Sequence, residues 1–414
     1  MVQTERAQRD KRSQQAQNDK RAQRQQTQND KRSQLIPMEE QPKPMRILQV
    51  VTVMNRGGLE TMLMNYYRQM SRSGIQFDFL VHRAEEGHYD KEIVALGGKL
   101  YRMPPIRPGN YRRYFKELDR FFAEHKEYKV VHSHMNENSG FVLRAAKKAG
   151  VPCRIIHSHL SDLRLDYKFP FRMYARYSIK DHPSAYFACS ERAGEWLFGK
   201  SKSAGGSVTV LNNAVNTEEF AYKPEVRAAI RQELGAGEGL VVGHIGRFNE
   251  QKNHSFLLNI FEALLRRRTD ALLVLAGDGY LRPVIEKEAE KRGLAASIRF
   301  LGVREDVADL LQGMDVFLFP SLFEGLPVVL VEAQAAGLPC IVSDRITTES
   351  NVTGRVAFVP LERSAEEWSE LILNTPLERT DTRSLLKQSG YDAAAMAEWL
   401  GAFYARQAAA ASSE

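Results

Sequence analysis

The sequence predicts two α/β domains, each a doubly wound parallel sheet, facing one another across a cleft. Three observations predict this. Short apolar runs of strand length recur along the chain with helix-like stretches between them, the pattern of βαβ units. The alternation starts afresh after about residue 212. Glycines and charged side chains stand directly after several of the strands, where sheets of this kind bind ligands.

The elements follow in order. Residues 1–34 are a degenerate repeat, with AQRDKR at 7–12, AQNDKR at 16–21 and TQNDKR at 27–32. Gln, Arg, Lys and Asp dominate it and aromatic residues are absent, so it buries too little apolar surface to offset its ordering entropy. Residues 1–44 are therefore expected to be a disordered tail, with the functional protein beginning near Met38 or Met45. From Met45 the pattern changes at once. Arg46-Ile47-Leu48-Gln49-Val50-Val51 reads as a buried strand, followed by Gly57-Gly58 and a helix over about 59–71. Further strands are expected at 77–81, 130–132, 154–157 and 185–188, completing a first domain over 45–211. The second domain, 212–391, has strands at 240–245, 271–276, 298–301, 316–319 and 340–343, with helices such as 255–268 and 281–292. A last helix over about 392–406 carries Met396, Trp399, Leu400, Phe403 and Tyr404 on one stripe and needs an apolar surface to cover.

Bulk properties narrow the function classes. The chain has 414 residues and a net charge of +7. Nine Lys/Arg against four Asp/Glu in residues 1–34 leave only +2 on the rest, so the folded part gives no reason to expect nucleic-acid binding. No run of about 18 apolar residues is present, and the N-terminus lacks the apolar core of a secretory signal. Cys153, Cys189 and Cys340 lie far apart with no CxxC pair, which points to a reducing cytosol and away from disulfides or zinc.

Five motifs could carry chemistry. Gly246-Arg247-Phe248-Asn249-Glu250-Gln251-Lys252 follows the first strand of the second domain and offers a guanidinium fork and an ammonium to a diphosphate; the plain alternative is a solvated basic loop. Glu324-Gly325-Leu326-Pro327 leads from a strand into a helix expected over 326–336, whose N-terminus suits an anion. Glu332 sits within that helix among Val, Leu and Ala, where a carboxylate is costly unless bound. A ribose diol would fit it, and so would a surface or capping role. Gly57-Gly58 permits close approach of a phosphate or sugar, or is a turn. His132-Ser133-His134 and His157-Ser158-His159 each end a strand of the first domain; they are candidate metal ligands or hydrogen-bonding groups at a cleft mouth. Finally, residues 99–116 hold Lys99, Arg102, Arg107, Arg112, Arg113 and Lys116 among Tyr101, Tyr111, Tyr114 and Phe115, with no acid. Such a segment suits an anionic membrane surface or polyanionic acceptor, or else is a loop and a solvated helix face. The chain contains no Asp-x-Asp motif to hold a metal–diphosphate complex.

The combination of a glycine-rich loop, Gly-Arg…Lys and Glu-x7-Glu within Pro-Ser-Leu-Phe-Glu-Gly-Leu-Pro resembles the retaining, family-four-type glycosyltransferases with the GT-B fold. The likeness runs from Met45 to about Arg406. NRGGLETMLMNYYR, HSHMNEN, IIHSHLSD and HIGRFNEQKNH resemble bacterial exopolysaccharide and capsule enzymes, the EpsF-like group. The resemblance implies that Arg247 and Lys252 hold the donor diphosphate and that Glu332 binds the ribose. Glu324 with the backbone of Gly325 and Leu326 would contact the donor sugar, the Val303 backbone would pair with the base, and Gly57 and Gly58 would form the phosphate-side loop. His134 would lie near the anomeric centre, and Asn55, Arg56 and His159 on the acceptor side. Arg247, Lys252, His134 and Glu324 would carry catalysis. It implies a nucleotide sugar as donor, a UDP-sugar before GDP- or ADP-sugars, a glycan or lipid-linked acceptor, and no metal or other cofactor. The expected place is the cytoplasm, peripherally at the inner face of the cell membrane. Two alternatives remain: a nucleotide-sugar 2-epimerase, which would not need Glu-x7-Glu, and a non-catalytic subunit, against which the intact Arg247, Lys252 and Glu332 argue.

Overall fold

The structure, a computed structural model, describes residues 44–70, 74–107, 109–159 and 169–410. The repeat-rich tail lies outside the described residues. From Met45 onward the chain forms two sheets. The first contains β1 (Met45–Val51), β2 (Ile75–Val81), β3 (Leu100–Arg102), β4 (Val130–Ser133), β5 (Cys153–Ser158), β6 (Ala185–Ala188) and β7 (Val208–Val210) in the order β3-β2-β1-β4-β5-β6-β7. The second contains β8 (Val241–Ile245), β9 (Leu272–Ala276), β10 (Ile298–Gly302), β11 (Val316–Phe319), β12 (Cys340–Ser343) and β13 (Val356–Val359) in the order β10-β9-β8-β11-β12-β13. Every strand pairing is parallel. Parallel neighbours need helical crossovers, and these cover both sheet faces, which is why the strands read as apolar runs instead of alternating.

Burial shows the same logic. All seven residues of β2 are buried. Its one carboxylate, Asp78, is held by the Arg46 guanidinium (Nε to Oδ2 2.6 Å) and by the Tyr128 hydroxyl at 2.7 Å. A buried charge is tolerated only when paired in this way.

In each sheet the strand order reverses beside the first strand, between β1 and β4 and between β8 and β11. Chain leaving these strands in opposite directions opens a crevice at their carboxyl ends, the place where doubly wound sheets bind ligands.

The sequence missed three strands, β3, β7 and β13. Each is a short edge strand, and β3 lies inside the segment expected to be a basic surface. The helix expected over 326–336 is Val328–Ala335, because Pro327 sits in an extended conformation as its N-cap. The last helix, Ala393–Ala410, returns to the first lobe and packs on the helix Gly58–Met70. Its inward residues are Ala393, Ala397, Leu400, Gly401 and Tyr404. The expected stripe is thus shifted: Leu400 and Tyr404 are buried, Met396 and Phe403 are half-buried, and Trp399 lies outward, stacked on Phe403 at 5.8 Å. Gly401 permits the close approach, since a Cβ there would stand 3.1 Å from Ile75.

Two chain crossings join the lobes at one place. Val215 N donates to Tyr391 O, and Ala393 N donates to Val215 O. The helix Gly58–Met70 is tied to the same linker through Asn65, which donates to Ala214 O at 3.0 Å.

Candidate active site between the two lobes

A cavity of about 350 Å³ lies between the lobes. The first lobe contributes Gly58, Glu60, Asn136, His159 and Ser190, and the second contributes Glu324, Gly325 and Leu326, with Asn213 from the linker. Two helix N-termini confront each other here. A Cβ on Gly58, the first residue of its helix, would stand 3.5 Å from Cγ2 of Val328, the first residue of its own. Both helices therefore turn their positive ends toward the same space.

The second-lobe wall is built by the loops after β8 and β11, the pair that flanks the reversal. Lys252 lies over the Phe319 ring at 4.4 Å and pairs with Glu324 at 2.5 Å, both side chains being largely buried. Gly246 leaves room for it, since a Cβ there would meet the Lys252 side chain at 3.1 Å. Arg247 differs: it is exposed, is not among the residues lining the cavity and, among the described residues, its side chain makes no hydrogen bond or ion pair. The charge that faces it is Glu60 across the cleft, whose own carboxyl is held above its ordinary range by burial, with Arg247 opposing.

Glu332 is the fifth residue of its helix, about one turn in, and does not line the cavity. It is half-buried, its carboxyl makes no hydrogen bond or ion pair among the described residues, and that carboxyl is pushed up to about 7 by burial first and by Glu219 second. Val303, just after β10, is 61% exposed, so its backbone is open to a planar ligand.

The first-lobe wall departs from expectation. His134 is not at the cavity surface; it is buried behind His159, which does line it. The cause is the end of β4, which turns His134 inward to bond Gln49 at 2.9 Å. Asn55 is occupied by the His88 backbone N–H at 3.0 Å. Arg56, expected beside the acceptor, instead bridges the lobes. It donates to Arg304 O at 2.8 Å and to Glu305 at 3.1 Å, next to Val303, and is steadied by His88 at 2.9 Å. Gly57 stands just outside the lining set, where a Cβ would strike the Glu60 carboxylate.

His132, His134 and His157 bring ring nitrogens within 4.8 Å of one another. These nitrogens bond largely to one another, to Gln49 and to Tyr404, and burial lowers all three rings far enough to keep them neutral. Cys189 also lines the cavity, but burial pushes its thiol up to about 11 and leaves it a poor nucleophile.

Sequence reasoning missed Glu60, Asn136, Ser190 and Asn213. Glu60 was legible, as an acid in the first turn of a helix opened by Gly57-Gly58. Asn136 was not: its positive φ of 48° and its bond from the His159 N–H at 2.8 Å arise only when β4 and β5 lie side by side.

Two Rossmann-like lobes, each presenting a helix N-terminus to a shared cavity with cations at the strand ends, define a glycosyltransferase of the GT-B architecture. Residues 56–219 match the family described as Glycosyltransferase Family 4, and residues 239–375 match Glycosyl transferases group 1. The chain belongs to the family-four, group 1 glycosyltransferases. It is 40% identical over 359 residues to EpsF of Bacillus subtilis (strain 168), named as a glycosyltransferase, covering 84% of this chain and 93% of that one. It is 28% identical over 230 residues to the UDP-Gal:alpha-D-GlcNAc-diphosphoundecaprenol alpha-1,3-galactosyltransferase of Escherichia coli, covering 53% and 58%. In fold it is similar to the crystal structure of HepE of Anabaena in complex with UDP and glucose, with a TM-score of 0.69 and 18% identity over 87% of this chain and 99% of that one.

Proposed function

We propose that the protein transfers a sugar, with retention of anomeric configuration, from a UDP-sugar to a glycan or lipid-linked glycan in exopolysaccharide or capsule assembly, without a metal ion. The observation that carries this reading is the Arg247 guanidinium at the strand reversal, without a side-chain partner among the described residues and acting on the charge of Glu60 on the wall of a cavity where two helix N-termini meet. Arg247, the helix start at Val328 and Lys252 behind Glu324 would stabilise the diphosphate as charge develops on it. Lys252 reaches the phosphates by sharing its ammonium between them and Glu324. Glu324, Gly325 and Leu326 take the sugar, Val303 the base and Glu332 the ribose. The departing phosphate receives the proton of the attacking hydroxyl, so no protein nucleophile is needed. UDP is favoured because the HepE structures hold UDP, glucose or UDP-glucose and the E. coli relative is named for UDP-Gal. That relative's diphosphoundecaprenol substrate favours a lipid-linked acceptor.

Such an acceptor calls for a membrane-facing surface. Among the described residues no helix is long and apolar enough to cross a membrane. In residues 99–116 the aromatic side chains turn inward: Tyr114 is fully buried, and Tyr101 packs on Phe121 at 5.1 Å. Arg112, Arg113 and Lys116 stay exposed. The exposed apolar groups lie next door on the helix Phe169–Tyr177, where Met173, Tyr174 and Tyr177 are 40%, 59% and 69% exposed and Phe171 meets Tyr111 at 5.7 Å. We assign membrane contact to this joint face.

The test is a panel of nucleotide sugars with a lipid-diphosphate-linked acceptor, read for release of nucleoside diphosphate and for anomeric configuration of the product. Turnover with a UDP-sugar and retention are expected; an inverted product or no turnover with any donor would overturn the reading.

A further inference from the structure

A single chain of hydrogen bonds runs from the cavity into the core of the first lobe. His159, on the cavity wall, sets Nε2 2.9 Å from His134 Nδ1. His134 Nε2 lies 2.9 Å from Gln49 Oε1. Gln49 Nε2 donates to the Tyr404 hydroxyl at 3.3 Å, and that hydroxyl lies 2.7 Å from His132 Nδ1. His132 Nε2 lies 3.1 Å from His157 Nδ1, and His157 Nε2 ends the chain with no hydrogen-bond partner among the described residues. Gln49, His132, His134, His157 and Tyr404 are all at most 2% exposed.

One residue fixes every proton in this chain. A neutral imidazole has one N–H and one lone pair, whereas an amide has a fixed donor end and a fixed acceptor end. With Gln49 Oε1 toward His134, His134 must donate from Nε2 and accept at Nδ1. His159 must then donate from Nε2, and its Nδ1 keeps a lone pair. On the other side Gln49 donates to Tyr404, so Tyr404 donates to His132 Nδ1, and His132 donates from Nε2 to His157. Burial holds all four imidazoles neutral, so the assignment is not undone by protonation near neutral pH. The His157 ring also stands edge-to-face with Phe187 at 5.9 Å and 82°.

The chain cannot serve as a proton wire, because it has no exit beyond His157 and passes through an amide. What it can do is orient. We propose that Gln49 and Tyr404 are positioning residues that hold His159 in its Nε2–H tautomer, leaving Nδ1 as an acceptor for a hydroxyl of the sugar acceptor in the cavity. The proposal rests on the transfer reaction inferred above. It makes the docked C-terminal helix, which supplies Tyr404, part of what readies the acceptor side.

The test uses the full chain labelled with ¹⁵N-histidine, together with Tyr404→Phe and Gln49→Leu. Nitrogen chemical shifts report the tautomer of each neutral ring, assigned by removing one histidine at a time. In the wild type His134 and His159 should both be Nε2–H. In either variant the orientation loses its anchor, and His159 should become a mixture. The kcat for transfer should fall roughly tenfold or more per folded molecule, with donor KM within about twofold. If His159 is Nδ1–H in the wild type, or if both folded variants keep the wild-type tautomers and kcat, the proposal is overturned. A wild type that releases no nucleoside diphosphate from any donor refutes the transfer reading instead, and the shifts still decide the tautomer.

Discussion

Substituting Glu332 should raise stability and lower donor affinity at once. Its carboxyl is half-buried, has no protein partner among the described residues, and is raised from 4.5 to about 7 by burial. Folded protein thus holds this proton more tightly than the unfolded chain does. Stability is undiminished below about pH 4.5, falls as pH rises from there to about 7, and is flat above. Each pKa unit is worth about 1.4 kcal/mol, so a rise from 4.5 to about 7 makes the ionised carboxylate cost roughly 3–3.5 kcal/mol at pH 8. Glu332→Gln has no proton to lose. It should melt a few degrees above wild type at pH 8, with the difference vanishing near pH 4.5. If the cost is retained because the carboxylate binds ribose hydroxyls, the same substitution weakens charge-assisted hydrogen bonds of roughly 1.5–3 kcal/mol, so UDP affinity should fall ten- to a hundredfold. Thermal melts at pH 4.5 and 8 beside calorimetric titration with UDP test both arms. A variant that melts and binds UDP like wild type at both pH values would refute the burial argument and the ribose role together.

Arg247→Ala should lower kcat by about two to three decades, the range for loss of one transition-state donor, with an unchanged melt because the side chain is exposed. Transfer should persist in excess EDTA; strict dependence on added Mg²⁺ or Mn²⁺ would sink the metal-free mechanism. Arg56→Ala should raise donor KM several-fold by loosening the loop that carries Val303, yet change stability by less than about 1 kcal/mol because its partner Glu305 is 81% exposed; equal KM values would show the bridge to be incidental. Binding to anionic vesicles at low salt should be lost on charge reversal at Arg112 and Arg113, at about 1 kcal/mol per basic residue, and weakened by serine at Tyr174 and Tyr177; if only residues 99–116 matter, the joint face is wrong.

Most of the sheet architecture was legible because parallel strands are buried on both faces. β9, Leu272–Ala276, is an unbroken apolar run in sequence, and β1, β2 and β8 are largely apolar with a few polar residues that are paired inside, for the same reason that they are buried in space. β3 and β7 escaped because an edge strand of three residues has no such run, Leu100-Tyr101-Arg102 and Val208-Thr209-Val210 being half-buried to exposed, whereas β13 does carry a short apolar run, Val356-Ala357-Phe358-Val359, with only its end residues buried. The same edge position explains the misjudged aromatic residues of 99–116. A Tyr among arginines reads as surface, but here the helix Tyr111–Glu124 turns Tyr114, Leu118 and Phe122 to the core and leaves its arginines outside.

The candidate site divides along the same physical line. In the second lobe the chemistry is local. Arg247 and Lys252 share one loop, Glu324 to Leu326 another, and both loops leave neighbouring strands, so spacing indicated that the loops lie together but not that Lys252 pairs with Glu324. In the first lobe it is distributed. Gln49 sits in the middle of β1, the histidines come from the ends of β4 and β5, and Tyr404 lies 355 residues from Gln49. Nothing in HSHMNEN or IIHSHLSD says that His132, His134 and His157 are buried while His159 alone reaches the cavity wall. That follows from two adjacent strands in register, with His132 opposite Ile155 and Gln49 opposite His132. Polar groups on such strands face the core and must satisfy one another there. The amide of Gln49 is the one member whose donor and acceptor ends are fixed, so a residue indistinguishable in sequence from any strand glutamine decides which nitrogen of His159 is free to meet a substrate.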